Sequence, residues 1–246
     1  MKNLTVDVGN SSVKLGLFDA DQLVASTRLD DIRQADFKIW ITNHLPENII
    51  LSTVSVGIDP NIQSFLRKQA GTWLLLDETT PLPITNGYST PETLGKDRLA
   101  AVCGASALFP DTNCLVIDAG TCITIDLLDA QGVFRGGNIA PGLEMRLRAM
   151  HAFTARLPKV ERQWPTEWLG DTTEHALQNG ALMGTLLELQ GYVERCRAQF
   201  GHLNVLLTGG DGLFLAKKWK SQIFVNQNLV LYGLNKILTH NVERSE

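Results

Sequence analysis

Asp7-Val8-Gly9-Asn10-Ser11 and Asp118-Ala119-Gly120-Thr121 each put a carboxylate two residues ahead of a glycine, at the end of an apolar run. A glycine lets the backbone turn tightly and approach an anion closely. Around the first turn, Asn10, Ser11 and Ser12 add side-chain donors, Lys14 adds positive charge, and Asp7 could hold magnesium through water. A single Asp-x-Gly turn is more often an ordinary hairpin than a phosphate site. Two of them facing each other would make a clamp, and phosphoryl transfer asks mainly for such positioning and charge stabilisation.

Three further groups could complete a site. Leu207-Thr208-Gly209-Gly210-Asp211-Gly212 reads as a strand ending in a glycine-rich turn that opens a helix, with room for a flat ligand such as adenosine; a plain strand-to-helix turn fits equally well. In Gly95-Lys96-Asp97-Arg98, the Asp could accept a proton from a hydroxyl and the Arg could offer its fork to a carboxylate. The residue types alone favour the plainer reading of a first-turn Asp on a helix dipole beside a surface Arg. Gly136 to Gly142 reads as a rigid loop that exposes its backbone before another helix. Thr172 and Thr173 are natural N-caps for a long helix, at least one of them in that role.

The elements that must position these groups follow from hydrophobic spacing. Strands are expected over Leu4 to Val8, Val13 to Phe18, Leu23 to Thr27, Asn48 to Ser55 and Trp73 to Leu76. Helices are expected over Ala35 to Asn43, from Asp59-Pro60 to Gln69, and from Asp97 to Leu108. Thr79 to Thr93, rich in Pro, Thr and Gly, reads as a long loop. One helix is expected over Thr173 to Phe200, then a strand near Asn204 to Thr208 and a helix near Leu229 to Leu238.

The second half restarts the pattern of the first. Leu4 to Asn10 resembles Leu115 to Thr121, which sets the two aspartates 111 positions apart (118 less 7). With one residue deleted from the turn, Leu17-Phe18-Asp19-Ala20 matches Leu127-Leu128-Asp129-Ala130. Asn48 to Ser52 echoes Asn204 to Thr208. These matches, in the same order, predict a duplicated α/β domain, with halves 1–113 and 114–246.

Composition narrows the classes. A net charge of -4, with only Ala216 to Lys220 densely basic, argues against a nucleic-acid binder. Cys103, Cys114, Cys122 and Cys196 have no C-x-x-C spacing, and the first three, in apolar surroundings, read as small core residues of a reducing compartment. The scattered histidines offer no zinc spacing. Asp7 interrupts the N-terminal apolar run, so no signal peptide is expected, and no stretch reaches the ~20 apolar residues of a membrane helix. A cytoplasmic protein is expected.

Taken in order, these residues resemble one family. Asp7 to Lys14, Tyr88 ahead of Gly95 to Arg98, Asp118 to Thr121, Gly136-Gly137-x-Ile139-x-Pro141-Gly142 and Gly170-x-x-Thr173 are similar in order and spacing to type III pantothenate kinases. That family lies in the superfamily of acetate and sugar kinases, heat-shock chaperone ATPases and actin. The resemblance spans Asp7 to Gly210. It implies duplicated RNase H-like (actin-like ATPase) domains, each a mixed sheet flanked by helices, with the active site in the cleft between them. It implies ATP-dependent phosphorylation of pantothenate to 4′-phosphopantothenate, the first step of coenzyme A biosynthesis.

Residue by residue, the resemblance assigns ATP to Asp7, Val8, Gly9, Asn10, Ser11, Ser12, Val13, Lys14 and Thr121. It makes Asp97 the proton acceptor and gives pantothenate to Tyr88, Arg98 and Thr173, with Gly95 and Lys96 in the same loop. Asp118 would coordinate a monovalent cation, K+ or NH4+, and Mg2+ would accompany ATP. Family members are usually homodimers with the substrate pocket near the subunit interface. Two departures stand out: Lys96 fills a position more often apolar, and Thr172 stands where Asn is common, which leaves open which threonine meets substrate. The competing readings are a sugar or acetate kinase of the same superfamily and a nucleotide-dependent accessory factor; retention of both Asp97 and Arg98 speaks against the second, since a pure binder needs no base.

Overall fold

Three β-rich runs with short turns open the chain as an antiparallel meander: β1 (Lys2–Val8), β2 (Val13–Asp19) and β3 (Gln22–Leu29). β1 pairs with β2 from Lys2↔Asp19 to Val8↔Val13, which sets Asp7 opposite Lys14. Helix α1 (Ala35–His44) leads to β4 (Asn48–Thr53), which joins β1 in parallel. Helix α2 (Pro60–Gln69) starts as its sequence predicts, with Pro60 in the first turn and the Asp59 carboxylate accepting from Asn61 N–H at 2.8 Å. Strand β5 (Thr72–Leu75) completes a five-stranded mixed sheet in the order β3-β2-β1-β4-β5. The computed structural model describes residues 1–54 and 58–244; the end of the strand expected to reach Ser55 lies outside the described residues.

Both faces of this sheet are covered, so β1 is buried along most of its length. Leu4 and Val6 join Leu15, Phe37, Ile41, Ile49, Leu51 and Leu66 in the core on the face packed by α1 and α2. Each such side chain contributes about 1.5–3 kcal/mol by leaving water. The alternate residues Asn3 and Thr5 are buried polar groups, and each is satisfied. Asn3 Nδ2 donates to Asn235 Oδ1 at 2.9 Å and to Thr239 Oγ1 at 3.1 Å, and Thr5 Oγ1 donates to the Gly16 carbonyl at 3.2 Å. Asn235 and Thr239 lie on the C-terminal helix α8 (Leu229–Glu243).

Helix α3 (Lys96–Leu108) packs on α8 at backbone distance. A Cβ on Gly233 would stand 1.7 Å from the Ala100 carbonyl oxygen, and one on Gly104 would stand 2.3 Å from that of Leu229. The two helices touch where neither carries a side chain.

The second sheet contains the repeat. Strands β7 (Cys114–Ala119) and β8 (Cys122–Leu128) form its hairpin, and β10 (Asn204–Thr208) pairs in parallel with β7. In the first sheet Asp7 lies opposite Ser52; in the second, Asp118 lies opposite Thr208. Asn48 pairs with Asn3, and Asn204 with Cys114, so the sequence echo carries through to strand register. The full order is β11-β10-β7-β8-β9-β6, with β6 (Thr85–Asn86), β9 (Val133–Pro141) and β11 (Phe224–Val225). Its core gathers Leu115, Ile117, Ile123, Ile125, Leu189, Val193, Val205 and Leu207.

Contacts divide the chain into two compact units, residues 1–111 with 128–136 and 228–246, and residues 112–127 with 137–227. Residues 128–136 and 228–246 of the second sequence half thus pack with the first.

Four expectations change. Gly136 to Pro141, expected as a loop, is the latter part of β9, because its glycines hide a strand that pairs on both edges; only Gly142 is outside, as N-cap of α4 (Leu143–Ala152). The long loop from Thr79 to Thr93 contains β6, two residues paired in parallel with Val133 and Phe134. The helix expected over Thr173 to Phe200 is interrupted: α5 (Thr173–Gln178) passes through a π-helical turn at Asn179–Met183 into α6 (Gly184–Phe200). Cys122, expected in the core, is exposed, because it opens β8 out of phase with buried Ile123 and Ile125; Cys103 and Cys114 are buried. Among the described residues no helix is long and apolar enough to cross a membrane.

Candidate active site

In the first unit, the turn after β1 carries Asp7 at its base. Asp7 is 9% exposed, while Asn10 and Ser11 at the tip are open to solvent. Gly9 N–H donates to the Ser12 carbonyl at 3.0 Å and closes a turn that displays Asn10 and Ser11 outward. Val8 and Val13 flank this turn as the last pair of the β1–β2 register.

The same unit assembles Gly95, Lys96, Asp97 and Arg98 at the start of α3. Gly95 is the N-cap, and a Cβ there would stand 2.6 Å from Asp97 Oδ1, so the glycine leaves the space that the carboxylate occupies. Asp97 lies in the first turn, where the helix dipole favours a negative charge. Arg98 is not the surface residue that residue type alone suggests: it is 5% exposed. Its guanidinium carbon lies 5.5 Å from the Tyr88 ring centre and 6.0 Å from that of Phe134, within cation–π range of both. The two rings are nearly parallel, at 8°.

Phe134 is a member that sequence reasoning missed. It reaches the site because β6 pairs with β9, and the Gly87 N–H donates to the Phe134 carbonyl at 3.0 Å. Only that pairing, across some fifty residues of sequence, could have signalled it. Lys96 turns to Glu78, 3.5 Å away. Glu78 follows Asp77, whose carboxylate accepts from Thr79 N, Thr79 Oγ1 and Thr80 Oγ1 at 2.8 to 3.0 Å. Burial would raise the Asp77 carboxyl, yet the hydrogen bonds from Thr79 and Thr80 hold it below its ordinary value.

In the second unit, two segments converge on the turn after β7. Gly209 has φ +86°, and a Cβ on it would lie 2.3 Å from the Ala119 carbonyl oxygen and 2.4 Å from Asp118 Oδ1. A Cβ on Gly142 would lie 2.2 Å from the Gly120 carbonyl oxygen and 2.5 Å from that of Thr121. Asp211 N–H donates to the Ala119 carbonyl at 2.9 Å, and Gly142 N–H to the Thr121 carbonyl at 3.2 Å. The turn bearing Asp118 and Thr121 is thus seated against Gly209 on one side and Gly142 on the other. Thr173, elsewhere in this unit, is exposed at the first position of α5, and Thr172 is the N-cap, accepting from His175 N–H at 3.1 Å.

The stretch of chain that carries both Asp-Gly hairpins and the Asp–Arg pair at a helix start is matched by a family model. The model for type III pantothenate kinase covers residues 3–195.

The chain belongs to the type III pantothenate kinase family.

A type III pantothenate kinase of Phocaeicola vulgatus is 41% identical over 241 residues, covering 97% of this chain and 98% of the relative, and one of Bacteroides fragilis is 41% identical over 239 residues, covering 97% and 98%. Among solved structures, a protein of Campylobacter jejuni described as a Baf family transcriptional activator superposes with a TM-score of 0.66 at 22% identity, covering 98% of this chain and 99% of that one. The ROK hexokinase of Thermus thermophilus superposes with a TM-score of 0.54 at 15% identity, covering 98% and 100%. These two establish the fold: the α/β architecture of actin-like kinases, with two mixed sheets flanked by helices.

A type III pantothenate kinase acts on ATP, which brings a divalent metal with it. Among the described residues no three His, Cys, Asp or Glu side chains cluster as a metal cage. Mg2+ is ordinarily held by one or two carboxylates together with the phosphates of its nucleotide. Gly209 faces the Asp118 carboxylate and the Ala119 carbonyl oxygen, two hard donors of the kind that suits an alkali cation.

Proposed function

We propose that Asp97 and Arg98 form the acceptor half of an ATP-dependent phosphorylation of pantothenate to 4′-phosphopantothenate, the first step of coenzyme A biosynthesis. The activity is that of the enzyme family to which the chain belongs. The observation that carries the assignment of residues is the buried Arg98 guanidinium facing Tyr88 and Phe134, next to the Asp97 carboxylate in the first turn of α3.

Asp97 accepts the proton of the pantothenate hydroxyl while its oxygen attacks the γ-phosphorus. The bond to the bridging oxygen of ADP breaks, and ADP leaves with those electrons. Arg98, held against ring faces, keeps its planar fork set for the pantothenate carboxylate. Tyr88, Gly95 and Lys96 line the same place. Thr173 is the threonine that meets substrate, a role supported by the use of the Thr172 hydroxyl as a helix cap.

The turn from Asp7 through Lys14, with Val8, Gly9, Asn10, Ser11, Ser12 and Val13, holds the ATP phosphates together with Thr121. The Gly209–Gly210 turn takes the adenosine. Mg2+ supplies charge neutralisation on the phosphates. Asp118 would hold K+ or NH4+, a role supported by its carboxylate standing beside the Ala119 carbonyl oxygen. The repeats 1–113 and 114–246 act as the two halves of the kinase.

The chain works in the cytoplasm as a homodimer and binds neither nucleic acid nor membrane. The net charge of -4 supports the absence of nucleic acid. An apolar hollow of about 480 Å³ lined by Pro141, Met145, Ala149, Met150 and Phe153, with Phe153 87% exposed, supports a second copy as cover.

A coupled ADP-release assay with ATP, magnesium and pantothenate, run in potassium and then in sodium, tests the reading. Pantothenate-dependent turnover that rises with potassium is expected. Folded, ATP-binding protein without such turnover in either salt would overturn it and turn attention to a panel of sugars.

A further inference from the structure

Between α4 and α5 the chain runs through residues 153–172 without helix or strand, yet it is pinned along its length. The Leu157 carbonyl lies 2.8 Å from His151 Nδ1, and Val160 is buried with Leu147, Leu177 and Ala181. The Glu161 carbonyl accepts from Gln178 Nε2 at 3.1 Å, and that of Glu167 from Asn179 Nδ2 at 3.0 Å. Gly170 is seated on the backbone of α5, where a Cβ would stand 2.3 Å from Ala176 N. The strap therefore ends fixed against the helix that bears Thr173.

The middle of the strap grips α7 (Gly212–Ala216), the short helix opened by the glycine turn. The Arg162 guanidinium pairs with the Asp211 carboxylate and lies 4.7 Å over the Phe214 ring. Trp164 stacks on the same ring at 5.0 Å and 13°, and its Nε1 lies 3.4 Å from the Phe214 carbonyl oxygen. Asp211 occupies the N-cap position of α7, yet its side chain makes no cap hydrogen bond. Arg162 takes it instead, while the Asp211 N–H is spent on Ala119. One residue is thereby tied at its main chain to the phosphate turn and at its side chain to the strap. The Asp211 side chain is 14% exposed, so solvent screens the pair less than an ordinary surface pair.

We propose that Arg162 is a positioning residue for the nucleotide: through Asp211 it holds the Gly209–Gly210 turn in its binding shape, and through the strap it ties that turn to α5. The inference rests on the Gly209–Gly210 turn being the adenosine turn. Arg162 need not touch the nucleotide; it acts through Asp211. Loss of the fork leaves a mostly buried carboxylate without its cation, and the turn relaxes at the N-cap of α7. Lysine keeps the charge and much of the apolar stem that covers Phe214, and so restores part of the effect.

The test uses the full chain with R162A, R162K and the isosteric D211N. ATP affinity is measured by calorimetry without pantothenate, and KM for ATP, KM for pantothenate and kcat are measured in the coupled assay. R162A and D211N should each weaken ATP binding about tenfold, the size expected for losing a charged hydrogen bond. R162K should recover part of it, and kcat should change by less than the KM for ATP. Unchanged ATP affinity in folded R162A and D211N would overturn the proposal, as would a loss that R162K fails to relieve at all. If the wild type binds ATP but ignores pantothenate, the acceptor reading falls while the affinities still judge Arg162; if the wild type binds no ATP, both fall.

Discussion

The two Asp-Gly hairpins descend from one pattern and have been built to different ends. After β1 the turn is closed from Gly9 to Ser12, and polar side chains stand out from it. After β7 it is one residue shorter, closed from Gly120 N–H to the Cys122 carbonyl at 2.9 Å. A Cβ on Gly9 would meet only the Ser12 carbonyl oxygen at 3.4 Å, whereas the second turn is crowded by Gly209 and Gly142. The outer ends of the hairpins differ as well. Asp19 is exposed and lies 3.6 Å from the N-terminal amine, while its counterpart Asp129 is 3% exposed, accepts from Gln131 N–H and Val133 N–H, and pairs with Arg135. The first hairpin presents side chains, with Asp97 of α3 in the same unit; the second is a backbone frame closely packed by Gly209 and Gly142. Duplication supplied two copies of a turn, and the neighbours of each copy decided what it could do.

That contrast can be broken most directly at Asp97, the proposed proton acceptor. D97N should keep its melting temperature and lose turnover by ~10²–10⁴-fold, the usual cost of removing a general base; wild-type turnover in folded D97N would sink the role.

The hairpins themselves come next. G209A forces a side chain onto φ +86° and into two oxygens, so a melting temperature lower by about 5 °C or more is expected, on the order of 2 kcal/mol. G9A should leave the melting temperature within about 2 °C while weakening ATP binding. Equal thermal losses in both variants would erase the distinction between a frame and a display.

The outer aspartates give the smallest effect. D129N should cost about 2 kcal/mol, the scale of hydrogen bonds to a charged group, and D19N less than about 0.5 kcal/mol. Burial would raise the Asp129 carboxyl, but the N–H groups of Val133 and Gln131 and the Arg135 guanidinium hold it below its ordinary 3.8. A lowered folded-state value stabilises the protein above that ordinary value and stops doing so as pH falls through the lowered one. Denaturant titrations at neutral pH and below pH 3.8 should therefore show the gap between wild type and D129N closing in acid. A gap that stays constant or widens would count against the carboxylate as its source.

Much of this was legible in the chain, for reasons that can be located. β1, β7, β4 and β10 announce themselves as short apolar runs, and their echo carries through to equivalent registers, Asp7 opposite Ser52 and Asp118 opposite Thr208. The Asp59-Pro60 cap and the helix start at Asp97 depend on neighbours in sequence and could be read locally, whereas the burial of Arg98 could not. What escaped depends on partners far along the chain. Phe134 becomes a wall for Arg98 only through β6, two residues long, too short for any period to show. β9 was hidden by its own glycines, and Arg162 meets Asp211 across an irregular segment whose course no periodicity records.

The backbone contact between α3 and α8 has a consequence for how the enzyme comes into being. The Asp97 helix leaves the ribosome well before the helix against which Gly104 is fitted, and at ~5–20 residues per second the interval is roughly ten seconds. Through that interval Asn3 and Thr5 on β1 and the Gly104 face of α3 await their cover, so the proposed acceptor half of the site, encoded early, is among the last parts to become solid. A newborn chain short of Leu229 would carry the complete set of proposed site residues and still have no firm place from which Asp97 could act.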